Sequence, residues 1–284
     1  MSASVAFFRK VCSWFFALLF ALAGAVSSPP SVKTGELALK TENVYPYSEG
    51  AAFCQGIAAD GAYFYGTGCI KYIDYNALVK IDAGNGEILQ YNDMCLPAEV
   101  TAKGYSHLGD CSYSDGKLYA ACEAFFFKDP AVMVFDADTL EFLEYHVLPE
   151  EGQGNGHLPW LCVHDDTIYY TQARDVEEVR MLDLSDFSYK GAIPLDTTVT
   201  KITGGDVLDG VLYLSSNSGG SEKITYAVDL ETGKTSVCFV RDMGNAFTEA
   251  EGLVIRKTED EVLFHYLDVA LASRTAIRTY VYNG

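Results

Sequence analysis

Four stretches of this chain align without a gap at intervals of about fifty residues, a spacing that points to repeated supersecondary units. They read FCQGIAADGAYFY (53–65), HLGDCSYSDGKLY (107–119), HLPWLCVHDDTIY (157–169) and KITGGDVLDGVLY (201–213). Each carries an Asp-Gly or Asp-Asp step four to five residues before its final Tyr. Such a step between alternating apolar residues signals a β-hairpin. A second unit recurs downstream as LVKIDAGNGEIL, VMVFDADTLEFL, VRMLDLSDFSYK and TYAVDLETGKTS. An apolar strand there runs into Asp82, Asp136, Asp183 or Asp229, then a turn, then another strand. Asp starts such turns because its carboxylate accepts a backbone N–H two residues on, so these four aspartates are expected to be structural.

Each repeat therefore holds four short strands. A fifth, looser copy begins at Glu249 (EAEGLVIRKTEDEVLFHYLDV) and ends after three strands in IRTYVYNG. The segment GELALKTENVYP can supply the missing fourth and close a ring by joining the two ends of the chain. Radial repetition of four-stranded sheets is a β-propeller. The expected fold is all-β with five blades at about 48–100, 101–151, 152–199, 200–243 and 244–284, plus a closing strand at 34–46. A six-bladed ring would need Val32–Glu49 to form most of a blade, and that stretch is too short for four strands.

The first 25 residues read differently. Arg9 and Lys10 precede an apolar run from Val11 to Leu22 and the small residues Ala23-Gly24-Ala25. This is the pattern of a secretory signal peptide cut after Ala25. It leaves 26–284 as a single propeller domain in a secreted, extracytoplasmic protein. No later segment is apolar enough to span a membrane. A formal net charge of −19 disfavours nucleic acid and anionic lipid as partners. In an oxidising compartment some of Cys54, Cys69, Cys95, Cys111, Cys122, Cys162 and Cys238 should form disulfides. Seven is odd, so at least one stays free or joins another chain.

Propeller geometry gives the repeat chemical content. The N-terminal end of each blade's first strand borders the central funnel, where propellers usually bind ligands. The equivalent position in successive blades holds Phe53, His107, His157, Lys201 and, aligning Gly252 with Gly56, Glu249. Two positions on stand Gln55, Gly109, Pro159, Thr203 and Glu251; one further come Asp110 and Trp160. Imidazole is the side chain best suited to acid–base work near neutral pH, so His107, His157, Glu249 and Glu251 are the candidate catalytic groups. Phe53, Gln55, Asp110, Trp160, Lys201 and Thr203 are the candidate ligand contacts, with Trp160 as a stacking wall and Lys201 as an oxyanion or carboxylate partner. Two His and a carboxylate could also hold a divalent cation. No close His-x-His pair and no calcium loop is present, so no metal and no cofactor is assigned. His146, His164 and His265 fall outside the inner register. The run Phe125-Phe126-Phe127 interrupts blade two as a lid, as a partner-binding loop or as core beneath the next strand.

Blade one resembles the plant and bacterial type of glutamine cyclotransferase in Phe53-x-Gln55-Gly56, Tyr65-Gly66-Thr67-Gly68, Lys80-Ile81-Asp82 and Gly86-Glu87-Ile88-Leu89. The resemblance covers about forty residues, of the size of one propeller repeat. It implies a five-bladed propeller and a pocket wall of Phe53, Gln55 and Trp160. That family's catalytic Glu lies in a Glu-Gly-Leu setting in blade two; this chain has Gly109 in that register, and its Glu-Gly-Leu is Glu251-Gly252-Leu253 in blade five. The chain is more loosely similar to secreted lactonase-like and YncE-like propellers. The reading that follows is a secreted propeller binding a small molecule or peptide end in its funnel, acting as a hydrolase or transferase through His and Glu. The alternatives are a non-enzymatic protein-interaction propeller and a glutaminyl-peptide cyclotransferase-like acyltransferase.

Overall fold

Strand β2 (Leu37–Pro46) lies antiparallel to β21 (Arg274–Tyr282), with Leu37 opposite Tyr282 and Pro46 opposite Arg274. The two ends of the chain therefore share one sheet, as the closing-strand expectation requires. The computed structural model describes residues 31–34, 37–47, 53–70, 75–218, 220–270 and 273–282. The signal-peptide expectation lies outside the described residues.

Five antiparallel sheets make up the ring. Blade I comprises β3 (Gly56–Ala59), β4 (Tyr63–Ile70), β5 (Tyr75–Asp82) and β6 (Ile88–Asn92). Blade II comprises β7 (Tyr105–Ser114), β8 (Lys117–Ala124), β9 (Lys128–Asp136) and β10 (Phe142–Val147). Blade III comprises β11 (Trp160–His164), β12 (Thr167–Thr171), β13 (Val176–Asp183) and β14 (Tyr189–Val199). Blade IV comprises β15 (Ile202–Leu208), β16 (Val211–Ser216), β17 (Glu222–Asp229) and β18 (Thr235–Asp242). Blade V comprises β19 (Thr248–Lys257), β20 (Val262–Ala270), β21 and β2. The short β1 (Ser31–Thr34) adds a fifth strand outside β18, an extension that the repeat pattern does not reveal.

The turn chemistry is the one the repeats encode. Asp115 and Gly116, and likewise Asp209 and Gly210, are the two central residues of their hairpins, all with φ between 47° and 80°. That is the type I′ geometry, whose twist matches the strands. The outer-strand aspartates cap their own turns: the Asp82 carboxylate accepts N–H groups of Gly84 and Asn85, and the Asp136 carboxylate those of Asp138 and Thr139. Asp183 and Asp229 do the same.

Apolar clusters fill the gaps between blades. Leu78 and Tyr65 of blade I meet Leu118 and Phe135 of blade II, and Val132 of blade II meets Leu161 and Ile168 of blade III. Trp160 and Val179 meet Ile202 and Leu214; Tyr213 and Phe239 meet Phe264 and Tyr280; Leu267 and Ile277 meet Ile57 and Phe64. The seven cysteines form no disulfide among the described residues, which corrects the expected pairing. Cys69, Cys95, Cys111 and Cys122 instead pack between blades I and II, where a thiol acts as a small apolar side chain.

Candidate active site

The two opening tetrads, His107-Leu108-Gly109-Asp110 and His157-Leu158-Pro159-Trp160, touch each other. The Asp110 N–H donates to the Pro159 carbonyl at 2.9 Å, across the gap between β7 and the start of β11. A Cβ on Gly109 would collide with that same carbonyl, so only glycine permits this approach. The contact draws the heads of blades II and III together and sets His107 and His157 with ring centroids 6.2 Å apart.

Between the two imidazoles lies Glu123, fully buried at the end of β8 and directly opposite His107 in the β7–β8 register. His107 Nδ1 is 3.1 Å from Glu123 Oε2, and His157 Nε2 is 3.6 Å from Glu123 Oε1. The backbone N–H of Leu158 also donates to Glu123 Oε1. These partners offset the desolvation that a buried carboxylate otherwise suffers. The two imidazoles stay partly open, with side-chain exposures of 12% for His107 and 25% for His157. Phe127 covers them from the β8–β9 loop, its ring centroid 4.2 Å from His157 and 6.2 Å from His107. Phe126 and Phe127 hold φ of 63° and 57°, left-handed values that bulky residues rarely adopt. A Cβ on Gly156 would collide with the Phe127 carbonyl, so this loop rests on a glycine as well.

Glu123 takes the place between the imidazoles that was expected for Glu249 and Glu251. Both belong to a cluster at the blade V–blade I side of the same face. Glu251 is buried, and burial, reinforced by Glu249 and Asp110, holds its carboxyl well above the usual range. Lys223 lies in the field of Glu249, Asp268, Lys201 and Glu251, and desolvation lowers its pKa. Its Nζ donates to Asn217 Oδ1 at 2.8 Å. Burial pushes the Cys54 thiol up to about 11.

Several expected ligand contacts are core instead. Trp160 and Phe53 are both fully buried. Trp160 Nε1–H donates to Thr171 Oγ1 at 2.9 Å, and a Cβ on Gly205 would lie 2.8 Å from its ring. Phe53 packs edge-on against Tyr45 at 5.1 Å. Neither ring faces a funnel ligand, so neither forms the expected pocket wall. Asp110 is a hub of the ring: its Oδ1 accepts the N–H of Ile57 at 2.7 Å and of Cys111 at 2.9 Å. Cβ atoms on Gly204 and Gly252 would each lie 2.9 Å from its carboxylate, so residues of blades IV and V also converge on it. Burial pushes its carboxyl well above the usual range. Thr203 Oγ1 donates to the Ala250 carbonyl at 2.6 Å and ties blade IV to blade V. Gln55 remains half-buried and Lys201 exposed. Of the other histidines, His265 is buried against Phe64, and His146 stacks on Phe187 at 3.7 Å.

By sequence the chain matches no protein-family model and no curated protein. By structure it resembles Myxococcus xanthus glutaminyl cyclase, with a TM-score of 0.61 over 90% of this chain and 99% of that one, at 11% identity. It also resembles a luciferin-regenerating enzyme, with a TM-score of 0.50 over 84% of this chain and 95% of that one, at 12% identity. A tail fiber of Staphylococcus aureus phage P68 gives 0.52 over 89% of this chain and 52% of that one, at 11% identity. At these identities the likeness is one of fold: the chain is a five-bladed β-propeller.

Proposed function

We propose that the face carrying the N-terminal ends of the inner strands binds a small molecule or a peptide end and performs acid–base chemistry on it. The observation that carries this reading is the buried Glu123 carboxylate shared by two partly exposed imidazoles from adjacent blades. With the Nδ1 proton of His107 turned to Glu123, the opposite nitrogen, Nε2, carries the lone pair of a general base. A purely structural pair would gain nothing from staying open to solvent beneath an aromatic loop. The signal-peptide pattern supports secretion as the setting.

The test is a thermal-shift screen of metabolites and short peptides, with N-terminal glutaminyl peptides included because a glutaminyl cyclase shares the fold. A ligand stabilises the folded chain by mass action. The double variant His107→Gln/His157→Gln, whose amides can still donate to the buried Glu123 carboxylate, should lose that shift while its own Tm stays within several degrees of the parent. A large fall in Tm with ligand binding intact would refute the reading. Formation of a cyclised N-terminus in the same screen would establish the acyltransferase alternative.

A second reading rests on exposed apolar side chains at the same end of the ring. Met94, Phe126 and Phe247 are each at least 76% exposed, and they follow β6, connect β8 to β9, and precede β19. Exposed apolar groups gathered on one rim mark protein-interaction sites. If this reading is right, Phe126→Ser and Phe247→Ser together abolish partner capture and leave small-molecule shifts unchanged.

A further inference from the structure

We infer that His107, Glu123 and His157 form a site for one divalent cation of the zinc type. The inference rests on the reading of this face as the working face and changes its base: with an ion on His107 Nδ1 the ring proton would sit on Nε2, and the acid–base role would pass to water held by the ion. The three side chains offer one ligand atom each, all within 4.8 Å of one another. A tetrahedral ion with bonds of about 2.0–2.2 Å sets its donor atoms about 3.3–3.6 Å apart. His107 Nδ1 lies 3.1 Å from Glu123 Oε2 and His157 Nε2 lies 3.6 Å from Glu123 Oε1, so the two imidazoles meet opposite oxygens of one carboxylate, and an ion among them needs a shift of a few tenths of an ångström to about 1 Å to reach all three donors. Two His and one Glu are a donor set that zinc enzymes use while keeping a position open for water or substrate.

The surroundings have the features of a metal site beyond its donors. The Leu158 N–H fixes the orientation of Glu123, as an outer hydrogen bond does for a metal-bound carboxylate. His107 and Glu123 sit on paired strands of blade II and His157 on the loop that leads into β11, drawn together by the Gly109–Pro159 approach. Zinc competes with protons for any imidazole or carboxylate donor, so affinity falls as pH falls. Exposure of the imidazole edges leaves the outer coordination positions to solvent, where the ion would polarise water.

The experiment is calorimetric titration of zinc chloride into the full, tag-free chain after chelator treatment. One zinc per chain should bind with Kd tighter than about 10 µM. His107→Ala and His157→Ala should each weaken binding at least tenfold, and cobalt in place of zinc should give visible d–d absorption that His157→Ala abolishes. If His107→Ala fails to fold, His157→Ala carries the test, since its ring is the more exposed. Binding weaker than about 10 µM, or a loss of less than tenfold in the folded histidine variants, overturns the site. Zinc titration uses no organic ligand. Its failure would leave the acid–base reading standing, and that reading is tested separately by the ligand screen run in chelator.

Discussion

Glu123 on blade II accepts the backbone N–H of Leu158 on blade III, so one buried carboxylate both orients the histidine pair and couples two blades. Removing it should have two separable effects. Glu123→Ala leaves the Leu158 N–H without its acceptor and should cost about 1–3 kcal/mol in urea unfolding. Glu123→Gln restores an acceptor for that N–H and can donate its amide to His107, so it should recover most of the stability. Equal losses in the two variants would show that the hydrogen bond matters little.

Gly109 should tolerate no side chain. Gly109→Ala places a methyl group against the Pro159 carbonyl and must push β7 and β11 apart. The expected cost is about 1–3 kcal/mol, as for overpacking elsewhere. The same variant should weaken any ligand of the histidine pair, because its effect falls on the blade spacing that sets the pair. A variant as stable as the parent, with ligand shifts retained, would refute this role.

Asp206 should make the protein less stable as pH rises. Burial pushes its carboxyl up to about 7 from 3.8, although it accepts the N–H groups of Ile255 and Val207. Between about pH 4 and pH 7 the folded state keeps a proton that the unfolded chain has lost. The stability from this group is therefore complete below the unfolded value and declines as pH rises to the folded one. Asp206→Asn lacks that proton equilibrium. The stability of the parent minus that of the variant, measured by urea unfolding, should fall from pH 4.5 to pH 8; a flat difference would contradict the assignment.

His265 should act in the opposite sense. Its imidazole is buried against Phe64 and bonded to Thr279 Oγ1 at 2.9 Å. Burial, with Arg256 and Lys40 nearby, brings its pKa down to about 3 from 6.5. Its contribution is present above about pH 6.5 and is lost as pH falls toward 3, because only the unfolded chain takes the proton. His265→Gln should reduce acid sensitivity in that window, read as unfolding midpoints from pH 7 to pH 4.

Asp268 holds two buried guanidinium groups, Arg241 at 2.7 Å and Arg278 at 2.8 Å, with Tyr266 stacked over Arg241 at 3.6 Å. Asp268→Asn strands a charge on Arg241, which is only 1% exposed. The expected loss is about 3–5 kcal/mol. Replacing Arg241 by Met in the same chain should recover part of it. No recovery would locate the cost in the hydrogen bonds of Asp268 to Arg278 instead.

The repeat spacing made the ring legible because each hairpin carries its own local signal: an Asp-Gly turn, a Tyr, an Asp-capped turn. It also placed His107 and His157 at equivalent heads of adjacent blades. Glu123 escaped because its partner relation is cross-strand. Continuing the alignment four residues past each Tyr reaches Cys69, Glu123, Ala173 and Asn217, and the lone carboxylate in that set is the signal that was there to read. Equivalence around an axis groups Glu249 and Glu251 with the histidines but says nothing about which neighbours a side chain meets across it. Phe53 and Trp160 looked like pocket walls for the same reason. At Glu249 and Glu251 the β19–β20 register shifts between Ala250 and Leu253, a bulge that redirects side chains and that a sequence alignment does not show.

The pairing of β2 with β21 has a kinetic side. During synthesis β2 leaves the ribosome early, and its hydrogen-bonding partner is nearly the last segment made. Glu42, whose carboxylate receives Arg278 Nε–H at 2.6 Å, waits just as long for its cation. Four blades can collapse from local hairpins while this edge stays open. The final step joins residues separated by almost the whole chain, the kind of contact that slows folding most. Until then β2 is an unpaired strand able to join the last blade of a second molecule, so the latch that completes the monomer is also the natural point for domain exchange when the protein is refolded at high concentration.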